Sequence, residues 1–114
     1  MDVFANAMPE GSQPLGMIGD ALFYLYEKSI ISVNIEEFLS NPETPHKEVT
    51  QLDTEFVDSK IISVCMLPEN LQIQILNSSG SLAVVNATDG HVMYITTGSG
   101  TVSVTEGTRT EYRL

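Results

Sequence analysis

The chain has 114 residues, of which 42 % are hydrophobic and 18 % charged, and its fifteen acids against five bases give a formal net charge of −10. That length suits one domain with a core large enough to stand without disulfides or a metal, and the hydrophobic share excludes a wholly disordered tail. The negative field repels phosphate backbones and anionic lipid, so direct nucleic-acid binding and membrane-surface binding are disfavoured, and a basic protein partner is the kind it would attract.

Cys65 is the single cysteine, so no intrachain disulfide is expected. The first residues, MDVFANAMPEGSQ, show no basic segment followed by an apolar run, and no stretch reaches the roughly 18 apolar residues of a membrane span. The expected location is therefore the cytoplasm, or the host cytoplasm or virion if the source is viral.

Residues 1–16 carry Pro9, Gly11, Pro14 and Gly16 and read as a flexible N-terminal arm before a single domain at 17–114. Residues 17–28, MIGDALFYLYEK, predict a helix. Ile18, Leu22 and Leu25 share a face, and Phe23, Tyr24 and Tyr26 make the rest of the surface apolar, which implies burial on more than one side. Ser29 to Val33 is β-branched and suggests a short strand. Asn34 followed by Glu36 and Glu37 predicts a capped helix start, with the helix ending before Pro42. The stretch 47–58 fits a helix through Val49, Leu52 and Phe56, or a strand. The helix is preferred, giving a helical part at 17–58.

From Lys60 the pattern changes. Ile61 to Leu67 is a strand closed by Pro68-Glu69-Asn70. Blocks of ten residues follow, each an apolar run ending in a turn: Asn77-Ser78-Ser79-Gly80, Thr88-Asp89-Gly90, Gly98-Ser99-Gly100, then Glu106-Gly107. The fold expected is α+β. Short N-terminal helices pack on a C-terminal antiparallel β-meander of five to six strands at 60–114, a sheet that could also curl into a small barrel. Leu71, Ile73 and Ile75 alternate with Gln72 and Gln74. The runs Ala83-Val84-Val85 and Val92-Met93-Tyr94-Ile95 are apolar on both faces and need cover. Between Asn70 and Thr105 the sole charge is Asp89, in a turn. An uncharged sheet of this kind invites association. Val85, Met93, Tyr94 and Ile95, with Phe23 and Tyr26 from the helical part, form the candidate interaction surface.

Chemistry is sparse. His46 lies in a proline-flanked linker and reads as a solvated side chain. His91 opens a strand with no metal-ligand spacing around it. Cys65, between Val64 and Met66, reads as a small buried hydrophobe rather than a reactive thiol. No catalytic residue, cofactor site or metal site is expected. The function that fits is a non-catalytic protein-binding or assembly module, a homo-oligomer of the viral or phage accessory kind. An alternative is an acidic inhibitor whose carboxylates at 27–69 mimic nucleic acid and block a basic site. A second alternative is a small-ligand binder using His91, Tyr94 and Tyr112.

Overall fold

The computed structural model describes residues 7–98, 101–106 and 108–113, with side chains described through Thr96. Among the described residues, ten strands and three short helical turns follow Ala7 and Met8. They are β1 (Gln13–Ile18), β2 (Ala21–Tyr26), β3 (Ser29–Asn34), α1 (Ile35–Ser40), β4 (Lys47–Gln51), α2 (Thr54–Val57), β5 (Ile61–Leu67), a 3-10 turn (Pro68–Asn70), β6 (Gln72–Asn77), β7 (Ser81–Asn86), β8 (Val92–Gly98), β9 (Thr101–Glu106) and β10 (Thr108–Arg113). They form two antiparallel sheets, one in the order β1-β2-β3-β4 and one in the order β10-β9-β8-β7-β6-β5.

The expected α+β fold is overturned: the protein is mostly β, and the described residues of its N-terminal half hold no long helix. The segment 17–28 is not a helix but the end of β1, the Gly19-Asp20 turn and β2. Its all-round apolarity has a different cause. Leu22, Phe23, Tyr24 and Leu25 are all buried in a central strand, with Phe23 and Leu25 on one side of the pleat and Leu22 and Tyr24 on the other. The expected arm is also shortened, because residues 13–16 pair with β2 and Ala7 is 3 % exposed, while residues 1–6 lie outside the described residues. The stretch 47–58 divides into β4 and α2.

Two local expectations hold in the described residues, the capped start of α1 and the meander. The Asn34 carboxamide accepts the Glu37 N–H at 3.0 Å and starts α1, which ends at Ser40. Strands β5 to β10 form the meander, each pairing with its neighbour in sequence. The barrel alternative is excluded. The six-stranded sheet is open, with β5 at one edge and β10 at the other.

The main core lies between the sheets. Leu15, Phe23, Leu25, Ile30, Leu52 and Phe56 meet Ile73, Ile75, Ala83 and Val85. A second core lies on the opposite face of the first sheet, where Leu22, Tyr24 and Val33 are covered by Ala7, Met8 and the α1 residues Ile35 and Phe38. Two glycines permit close approaches between the sheets. Gly16, at a bulge in β1 with φ +148°, leaves space for Met66 of β5, whose Cγ would stand 2.6 Å from any added Cβ. Gly90, with φ +77°, lies against the Val49 carbonyl of β4, where a side chain has no room.

Candidate binding face

The pairing register of the second sheet sorts its side chains into two faces. Val64, Ile75, Ala83 and Tyr94 lie in one cross-strand row, and Met66, Ile73, Val85 and Val92 in another. All eight belong to the main core or pack against it. The rows between them point the other way. Ser63, Leu76, Leu82 and Ile95 form one, and Cys65, Gln74, Val84 and Met93 form the next.

These two rows, the outer face of the sheet, carry no charge over β5 to β8; they are polar at Ser63 and Gln74 and apolar on β7 and β8. Leu76, Leu82, Met93 and Ile95 are part-exposed, and Val84 is 9 % exposed. None of them belongs to either core cluster among the described residues. The described rows lie on β5 to β8, and four strands at about 4.8 Å spacing and about 20 Å length present roughly 400 Å² of sheet surface. Several acids lie off this sheet, Glu36 and Glu37 at the start of α1, Glu48 on β4, Asp53 to Asp58 around α2 and Glu69 in the 3-10 turn, while Glu106 and Glu111 belong to its strands β9 and β10.

The structure separates the residues read as one surface. Met93 and Ile95 are on the outer face. Val85 is fully buried between the sheets and Phe23 is 5 % exposed in the same core, so neither can meet a partner in the folded chain. Tyr94 packs against that core, and Tyr26 packs on the second one. Leu76, Leu82 and Val84 are the residues that sequence reasoning missed. The signal for them lay in β6, where Gln72 and Gln74 mark the wet face. Counting the register through the β6–β7 turn then places Val84 opposite Gln74.

Two side chains read as inert have defined surroundings. Cys65 is exposed on the outer face of the edge strand β5, not buried. His46 is exposed, yet its Nδ1 lies 2.6 Å from the Tyr24 hydroxyl, and the two rings meet edge to face at 5.8 Å. Among the described residues no three His, Cys, Asp or Glu side chains converge as metal ligands, and no helix is long and apolar enough to cross a membrane.

A cleft opens at the other side of the second sheet, between β4 and the start of β8. Thr50, Gln51, Asp53, Gly90, His91, Val92 and Tyr94 line its volume of 410 Å³. The structure thus brings His91 and Tyr94 to one cavity, whereas the Tyr112 side chain lies outside the described residues. Comparison of the chain with protein-family models, curated proteins and solved structures gave no match.

Proposed function

We propose that this chain is a non-catalytic assembly module, a β-protein that associates through the outer face of its six-stranded sheet with a second copy of itself. The observation that supports this reading is the uncharged apolar pair of rows, Leu76-Leu82-Ile95 and Val84-Met93, none of whose residues belongs to either core cluster and four of which are part-exposed. Each copy carries −10, which opposes self-association, but strands β6 to β8 hold no charged residue, so a contact made through them brings no like charges together. At physiological salt the remaining repulsion reaches about 8 Å.

The test is light scattering on the eluting protein across a dilution series. A mass of twice the monomer that falls on dilution supports the reading. A monomer mass at the highest concentration reached rejects it.

A further inference from the structure

We infer that the free edge of β5 is a second self-association site, at which β5 of one copy pairs antiparallel with β5 of another and joins their two large sheets into one. This contact runs along the edge of the sheet, whereas the outer-face contact lies on its flat side, so neither needs the other. The consequence of having both rests on the outer-face reading: dimers joined edge to edge become a chain or a closed ring.

Among the described strands four edges bound the two sheets, and three of them are guarded. β1 carries Pro14, which has no N–H to give, and a bulge at Gly16. β4 is five residues long, carries Lys47 and Glu48, and has its Val49 carbonyl against Gly90. β10 carries Arg109, Glu111 and Arg113. Charge, proline, bulges and short length are what keep an edge from pairing with another chain. β5 is the exception. Its seven residues, Ile61 to Leu67, include no charge, no proline and no glycine. Among the described residues it pairs only with β6, so its alternate N–H and C=O groups face away from the sheet. β1 approaches it through Gly16 and Met66, and Met66 belongs to the inner row that packs on the main core. Ile62, Ser63 and Cys65 are exposed.

Charge complementarity selects a second copy as the occupant. The register shift between Ile61 and Ser63 confines the regular edge to Ser63 through Leu67, with Cys65 at its midpoint. Antiparallel pairing about a two-fold axis at Cys65 sets Ser63 against the second copy's Leu67 and Val64 against its Met66. Residues so opposed share a face, as the pleat requires. Lys60 precedes β5 and Glu69 follows it, both exposed. The pairing brings the Lys60 end of each copy to the Glu69 end of the other, so opposite charges meet twice. Five residues of strand pairing bury far less than a standard interface, and each copy carries −10, so the expected affinity is roughly millimolar.

The experiment is a dilution series of ¹H–¹⁵N spectra on the Met93→Lys chain, which lacks the outer-face contact, from about 1 mM downward. The expected result is concentration-dependent shifts of the amides at 61–67 and none at β2 and β3. Ile62→Lys, at a residue 58 % exposed, charges the edge and should abolish those shifts. Lys60→Glu sets like charges together at both ends and should weaken pairing about fivefold, and adding Glu69→Lys should restore it. Lys28→Glu, in the β2–β3 turn, makes the same change in net charge and should leave the pairing near its starting strength. In the native chain the contact reads as a scattering mass above twice the monomer at the top of the series, lost with Ile62→Lys. A native chain that fails to dimerise through its outer face defeats that reading alone, and its own dilution series then reports the edge. The inference is overturned if the amides at 61–67 stay fixed at every concentration, which leaves the edge to a strand from a different protein. It is also overturned if Ile62→Lys pairs as strongly as its parent, or if the double charge exchange pairs no better than Lys60→Glu alone.

Discussion

The hydroxyl of Tyr94, on β8, accepts the backbone N–H of Asp53 at 2.7 Å and so ties the second sheet to the start of α2. Tyr94→Phe keeps the ring against Phe56 but leaves that N–H without its partner. A loss of roughly 1–2 kcal/mol is expected. Urea unfolding measures it as a lower midpoint with an unchanged slope. An unchanged midpoint would show that water replaces the hydroxyl without loss.

Tyr24 and Tyr94 should give the protein an alkaline limit. Burial raises both phenol pKa values, and at Tyr94 it outweighs the bond from the Asp53 backbone N–H, which lowers the value, while the Asp53 charge adds a smaller rise. The folded state then holds each proton over a range where the unfolded chain has released it. Stability is full below the ordinary tyrosine value of 10.0 and falls as pH rises past it. Denaturation midpoints from pH 8 upward, roughly spanning the ordinary phenol range, should decline more steeply for the native chain than for Tyr24→Phe. Parallel curves would remove Tyr24 from the explanation.

Asn77 is 1 % exposed and fully bonded. Its amide donates to the Phe56 carbonyl at 3.0 Å, and its carbonyl oxygen accepts from Ser79 N–H, Ser79 Oγ and Ser81 N–H. It therefore fixes the β6–β7 turn and holds the end of α2 against the sheet. Asn77→Ala strands these groups in a buried place. A cost of about 2–4 kcal/mol is expected by chemical unfolding. A cost under about 1 kcal/mol would mean that the turn rearranges to satisfy them.

Glu27 stands in the two-residue turn between β2 and β3 with φ +57°, a left-handed conformation that costs an L-residue roughly 1 kcal/mol. Glu27→Gly should raise the unfolding free energy by about that amount, less the added freedom of the unfolded glycine. A lower stability would show that the Glu27 side chain contributes more than its backbone strain costs.

The same turn explains why the first sheet was hidden in the sequence. The meander was legible because its turns use Asn77-Ser78-Ser79-Gly80 and Thr88-Asp89-Gly90, residues that favour left-handed or capped backbone. The β2–β3 turn uses Glu27-Lys28, which carries no such signal. Strand β2 is also buried on both faces, so the alternation that marks a strand is absent, and Ile18, Leu22 and Leu25 imitate a helical face. Asn34 was readable because its capping bond is local. The outer face was half legible. Apolar runs at 83–85 and 92–95 announced two-sided burial, but assigning Val84 rather than Val85 to the outside requires the cross-strand register. The cleft was not legible in full, because Asp53 and Tyr94 are far apart in sequence and meet through a backbone N–H.

Sedimentation equilibrium of the native chain beside Met93→Lys tests the assembly reading most directly. Met93→Lys lowers the net negative charge by one, so it eases global repulsion while placing a charge in the outer apolar rows. Leu39→Lys, at a residue 63 % exposed on α1, makes a similar change away from that face. The account predicts a dimer for the native chain and for Leu39→Lys, and a folded monomer for Met93→Lys. A native monomer at every concentration, or a Met93→Lys protein that dimerises as strongly as the native chain, would contradict it.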